Sequence, residues 1–191
     1  MKKRSRIILT LGLASLLGFI IMMIWPEIAN GFPGSPSNFK RILGFEAIER
    51  HKVALSNGGI QGMVYFGMQD LAGEDGRPLS PDYSKMADHP LPATYEKEKT
   101  FLHWKNSPIH SEHLGLSNYC LKMLNAENFK GDNVETMKTT AGSVSAYYSY
   151  SAEVASDGRM NNITFLIFDP LKARLYTLTN TSYIYDPKTI P

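Results

Sequence analysis

The sequence has a single cysteine, Cys120, among its 191 residues, so no disulfide can form within the chain. A domain exported to an oxidising compartment must therefore be held together by core packing. An excess of charge of one sign is also lacking, since 20 basic and 18 acidic residues leave a formal net charge of +2. This balance argues against a basic nucleic-acid-binding face, and we predict no nucleic-acid partner. With 43% hydrophobic residues, the chain is not a disordered one.

One long uncharged run is present, and it lies near the N-terminus. Four of the first six residues are basic, and the nineteen residues from Ile7 to Trp25 carry no charge. A membrane span needs about 20 apolar residues, whereas the apolar core of a cleaved signal peptide has about 7 to 15. We therefore predict that residues 1–25 are a cytoplasmic basic tip and a transmembrane signal-anchor, which makes this a single-pass protein of the cell inner membrane. Cleavage before Phe32 is the alternative, because small residues precede it.

The chain after the anchor is predicted to lie on the periplasmic or extracellular side of the membrane. Residues 26–37 contain three prolines with glycine and serine, a composition typical of a tether. Residues 38–191 have the length of one domain with a core of its own.

Hydrophobic periodicity predicts the elements of this domain. Helices are predicted at about residues 36–55, 96–105 and 116–124, and strands at residues 60–68, 144–154, 163–168 and 173–179. The proline-rich residues 71–94 are predicted to be a loop. The last three strands have short connections, which predict an antiparallel meander. The fold class is therefore α+β, with helices packed on one face of an antiparallel sheet that ends in a three-stranded meander.

Three histidines and the cysteine are the candidates for metal or enzyme chemistry. His103, His110 and His113, with Cys120 after them, are ligand types found in zinc and copper sites. The sequence does not supply four ligands at the tight spacing of a closed site, and histidines near a helix start are commonly surface residues. Cys120 lies on the apolar stripe of its predicted helix, where cysteines act as small apolar residues. We predict no metal and no cofactor, and the pattern favours a protein that is not an enzyme.

Tyrosine is concentrated at the C-terminal end, where six of the ten tyrosines follow residue 146. Period-two alternation in residues 144–154 predicts an inward face formed by Val144, Ala146, Tyr148, Tyr150, Ala152 and Val154. It predicts an outward strip formed by Ser145, Tyr147, Ser149 and Ser151. Tyrosine beside serine on a rigid sheet is typical of recognition surfaces. We predict that this strip binds a protein partner in or near the membrane.

These observations predict a membrane-anchored, bacterial periplasmic protein that binds a partner and catalyses no reaction. Its concrete forms are a subunit of an envelope complex or an immunity-type factor. One alternative is an envelope enzyme or metal-binding protein that uses His103, His110, His113 and Cys120. A second is a small-molecule sensor domain, which is less favoured because no cytoplasmic output segment follows the predicted sheet.

Overall fold

The computed structural model describes residues 36–59, 62–73, 75–79, 86, 99–126 and 129–189. The helices are α1 (Pro36–Leu43), α2 (Ser111–Ala126) and α3 (Asp132–Ala141). The strands are β1 (Ile48–Gly59), β2 (Gly62–Ala72), β3 (Lys99–Phe101), β4 (Lys105–Asn106), β5 (Tyr147–Val154), β6 (Met160–Asp169) and β7 (Arg174–Asn180). Within these ranges no helix is long and apolar enough to cross a membrane. The predicted anchor and most of the predicted tether lie outside the described residues.

The strands form one antiparallel sheet with the order β1-β2-β7-β6-β5-β3, and the short β4 also pairs with β5. Strands β5, β6 and β7 form the predicted meander. Gly158, in the first turn of the meander, has a φ of 87°, which glycine adopts without strain. Strand β6 lies between β5 and β7, inside the sheet, as its run of apolar residues predicts. Ile167 and Phe168 point to opposite sides of the sheet, and both are buried. The α+β class is confirmed.

Each side of the sheet has its own hydrophobic core. On one side, residues of α2 and α3 such as Leu124 and Met137 pack on the sheet residues Phe66, Phe165 and Leu178. On the other side, α1 packs with Trp104 and Met86 on a smaller set of sheet residues that includes Phe168 and Leu175. Because β6 is apolar on both sides, both sides need a cover. The prediction that the helices all pack on one face is therefore wrong for α1.

The first predicted helix, residues 36–55, is wrong beyond Leu43. Gly44 has a φ of 84° and donates its N–H to the Lys40 carbonyl at 3.0 Å, which closes the last turn of α1. From Ile48 the chain is strand β1, in which Val53 and Leu55 contact the core and the residues between and beside them are exposed. The apolar residues of this segment form no stripe at helical spacing because they alternate with exposed residues at every second position, as in a strand.

The predicted helix over residues 96–105 is also wrong. Residues 99–101 and 105–106 form β3 and β4, which pair with β5 at the edge of the sheet, and residues 96–98 lie outside the described residues.

Helix α3 was not predicted, although Val134, Met137 and Ala141 are buried at helical spacing. The predicted strand over residues 60–68 is confirmed from Gly62, and it continues to Ala72. Most of the predicted loop at residues 71–94 lies outside the described residues.

Candidate functional site

The four residues of the predicted binding strip lie in different surroundings. Ser149 is 1% exposed and donates from its Oγ to the Leu102 carbonyl at 2.6 Å. Tyr147 is half-buried and packs against the core that α1 shares with the sheet. Ser145, just before β5, is half-buried with its Oγ 2.9 Å from that of Ser143, and Ser151 is half-buried within the strand. Ser149 lies on the predicted side of the sheet, but its predicted exposure is wrong because the edge at residues 99–106 covers it.

The inward face predicted for the same strand is largely confirmed. Ala146, Tyr148 and Ala152 are buried, and Tyr150 packs against the core below α2. Val144 is the exception, since it precedes the strand and is 82% exposed. The alternation therefore holds within β5 and fails where the strand has not yet begun.

Ser151 belongs to a row of hydroxyl-bearing side chains that crosses four strands. Tyr65 of β2 pairs with Thr179 of β7, Thr179 pairs with Thr164 of β6, and Thr164 pairs with Ser151 of β5. Side chains of directly opposed residues lie on the same side of a sheet. Thr177, two residues before Thr179, adds a fifth hydroxyl on that side. We call these five residues, all partly exposed, the hydroxyl face.

The hydroxyl face lies beside the part of the sheet that α1 covers. The Oγ1 atoms of Thr164 and Thr179 are 3.3 Å apart, so these two hydroxyls bond to each other and each retains further hydrogen-bonding capacity. The ring of Tyr65 lies over Gly67, where any β-carbon would come within 2.6 Å of the Tyr65 hydroxyl. Burial, and then the nearby Glu49 carboxylate, raise the pKa of Tyr65. The face thus presents neutral donors and acceptors around one flat aromatic ring.

The side of the sheet under α2 contains a second polar group of residues, centred on His113. Its Nδ1 lies 3.0 Å from the Tyr148 hydroxyl, and its Nε2 lies 3.6 Å from Oε1 of Glu112. The backbone N–H of His110 donates to the same Tyr148 oxygen at 3.1 Å. From this network we assign the Tyr148 hydrogen to Nδ1 and the proton of the neutral imidazole to Nε2.

The His113 imidazole is held neutral by its surroundings. Burial lowers its pKa, and the Glu112 carboxylate partly opposes that shift. Glu112 is exposed and bonds to the Lys105 ammonium at 2.9 Å, which is the main reason that the pKa of Glu112 is lowered. The ring edges of His113 also contact Tyr148 and Tyr150. This arrangement fixes the start of α2 to β5, which is a structural role.

The candidate metal ligands do not come together. His103 and His110 are exposed, whereas Cys120 is 1% exposed. Burial raises the pKa of the Cys120 thiol to about 12, so the thiol is protonated and unreactive at neutral pH. Across the described ranges, no three His, Cys, Asp or Glu side chains are grouped closely enough to hold a metal ion.

The sequence-based prediction missed most of the hydroxyl face. Tyr65 alternates with Val64 and Phe66 in a strand that was correctly predicted, and Thr177 and Thr179 flank Leu178 in the last strand. The missing information was the pairing of β2 with β7, which no local pattern gives, because the two strands are far apart in sequence.

Comparison with models of protein families, with curated proteins and with solved structures finds no match for this chain.

Proposed function

We propose that this chain is a single-pass membrane-anchored protein of the bacterial envelope whose exported α+β domain binds a protein partner and is not an enzyme. Two roles fit this description, a subunit of an envelope complex and an immunity-type factor. The anchor part of the proposal is supported by the sequence alone, through the basic residues that precede the nineteen uncharged residues from Ile7 to Trp25.

The observation that carries the binding role is the hydroxyl face. Hydroxyl groups donate and accept hydrogen bonds, so a surface of this kind can pair with main-chain and side-chain groups of a partner. Serine and threonine are short and lose little conformational freedom when they are covered. Tyr65 supplies one large ring at the end of the row, as binding surfaces commonly do. This composition favours a protein partner, and the proposed anchor places that partner in or near the membrane.

The reactive side chains on the other side of the sheet support a role without catalysis. The Cys120 thiol is buried and protonated, and His113 is committed to its bond with Tyr148. Both residues therefore stabilise the fold where they lie.

Site-specific crosslinking in native membranes tests this proposal. A photo-reactive residue at position 179 of the full-length chain lies in the hydroxyl face, and the same residue at position 122, an exposed position of α2, lies on the other side of the sheet. We expect one protein to be crosslinked at position 179 and not at 122, and mass spectrometry then identifies it. Equal crosslinking at both positions, or no protein crosslinked at position 179, would contradict the proposed face.

Extraction with alkaline carbonate tests the anchor. We expect the full-length chain to stay in the membrane fraction with its intact mass. A soluble product that begins at Phe32 would show that the leader is cleaved and would refute the anchor.

A further inference from the structure

Two large apolar side chains are almost entirely exposed at one end of the sheet. Val144 is 82% exposed and Leu171 is 81% exposed. Val144 lies just before β5, and Leu171 lies in the turn between β6 and β7. Tyr147 of β5 pairs with Phe168 of β6, so both segments leave the sheet at the same end.

The membrane-proximal part of the chain joins the sheet at this same end. Ile48, the first residue of β1, pairs with Ala72, the last residue of β2, and β2 reaches this end where Asp70 pairs with Arg174, the first residue of β7. Helix α1, immediately before β1, packs on Phe168 near this end.

The length of the tether limits how far this end can lie from the bilayer. Ten residues separate Trp25 from Pro36, the first residue of α1. Even fully extended, ten residues span at most about 36 Å. A strand of ten residues is itself about 33 Å long, so the opposite end of the sheet lies about that far from the end at which the chain from the anchor enters.

We propose that the end of the sheet that carries Val144 and Leu171 rests on the membrane surface, with both side chains inserted at the boundary between headgroups and acyl chains. The inference rests on the membrane anchor of the proposed function. Isolated exposed apolar residues are ordinary on protein surfaces. Here the two most exposed of them lie at one end of the sheet, and it is the end to which the anchor is joined. Lys172, next to Leu171 and half exposed, can keep its ammonium at the level of the headgroups while its stem lies along the apolar layer.

This orientation gives the hydroxyl face a defined direction. With one sheet end on the membrane, the strands stand upright and the hydroxyl face looks sideways along the surface. A partner anchored in the same bilayer can then contact the hydroxyl face while its own anchor stays in the membrane.

Spin-label accessibility in vesicles tests the orientation. The full-length chain is reconstituted into vesicles of phosphatidylcholine and phosphatidylglycerol as the variant Val144→Cys, Leu171→Cys or Ile184→Cys, and a nitroxide is attached to the new thiol. Cys120 is buried and protonated, so the label attaches to the introduced cysteine. Ile184 is the matched control, because it is also exposed, at 57%, and lies beside Tyr185, which bridges to Met160 at the opposite end of the sheet.

We expect the labels at positions 144 and 171 to be more accessible to oxygen, which partitions into lipid, than to a water-soluble nickel complex. The label at position 184 should show the reverse order. If the chain resists carbonate extraction but all three labels are equally accessible to nickel, the orientation is wrong and the anchor stands. If carbonate releases the chain from the vesicles, the anchor of the proposed function is wrong and the orientation falls with it.

Discussion

His113 and Tyr148 share a hydrogen bond that suits only the neutral histidine. With the ring neutral, Nδ1 accepts the hydroxyl hydrogen of Tyr148 while the Tyr148 oxygen accepts the N–H of His110. Protonation would place a hydrogen on Nδ1, so the buried Tyr148 hydroxyl would need another acceptor. An unpaired buried hydroxyl costs about 1 to 3 kcal/mol. Lys105 and His110 also disfavour the charged ring, and Glu112 alone among its charged neighbours favours it.

The protein is therefore expected to lose stability as the pH falls below about 6.5, the ordinary pKa of histidine. Because burial lowers the pKa of His113, the unfolded chain takes up this proton before the folded chain does. The stabilisation from His113 is complete above the unfolded pKa and is lost as the pH falls through the folded pKa. Urea unfolding between pH 7.5 and 5 measures the effect.

The control for this prediction is another histidine of the same chain. His113→Gln should remove the part of the acid sensitivity that is due to His113, while His103→Gln, at an exposed position, should retain it. An identical pH dependence in the wild type and the His113→Gln variant would show that another group is responsible.

Strand β5 pairs with an irregular edge of the sheet, which is formed by residues 99–106. β3 and β4 pair with it only at residues 99–101 and 105–106. Between these two segments the Leu102 N–H donates to the Tyr150 carbonyl at 2.9 Å, and the Leu102 carbonyl accepts from the Ser149 Oγ. The Ser149 side chain therefore supplies a hydrogen bond to this edge at a position where β3 and β4 are interrupted.

Ser149→Ala is expected to lower the free energy of unfolding by about 1 kcal/mol, since one buried side-chain hydrogen bond is lost. Backbone hydrogen exchange at residues 99–106 should become faster than in the wild type. Ser151→Ala, two residues along the same strand and half-buried, is the matched control and should change neither quantity. Equal losses in the two variants would mean that the Ser149 hydroxyl has no special part in holding this edge.

The success of sequence patterns differed from one element to the next for physical reasons. Strands β5 to β7 are contiguous and joined by short turns, so local alternation and turn residues predicted their pairing. Strand β1 failed because a bulge between Glu49 and His51 breaks its alternation, and its charged first half resembles a helix surface. The edge at residues 99–106 failed because its strand character depends on pairing with β5, which lies more than forty residues later.

The candidate site shows the same limit more strongly. Alternation correctly separated Ser151 from Tyr150, but it gave no information about what covers each side of the sheet. Ser149 was predicted to be exposed, and its burial depends on the edge at residues 99–106, which was predicted to be a helix. A binding face made of single residues from four strands requires the strand order, and the pairing of β2 with β7 is not encoded in either strand alone.

The molecule as a whole has a large core under α2 and α3 and a smaller one under α1. Phe39 and Leu43 of α1 contribute to the smaller core, and the Trp104 indole N–H donates to the Ile42 carbonyl at 2.8 Å. Trp104 comes from the opposite edge of the sheet from β1. This bond and the packing around it therefore hold α1 on the sheet.

Trp104→Phe is expected to loosen α1 selectively. The variant loses the bond to Ile42 and leaves part of a buried volume empty, which together should cost about 2 to 3 kcal/mol. Hydrogen exchange should accelerate more in α1 than in β6, because α1 can separate from the smaller core while the larger core stays intact. Met137→Ala is the comparison: Met137 is buried in the larger core, so its loss should lower global stability without singling out α1. If exchange in α1 and β6 accelerates equally in Trp104→Phe, the two cores unfold as one unit, and α1 does not separate from the sheet on its own.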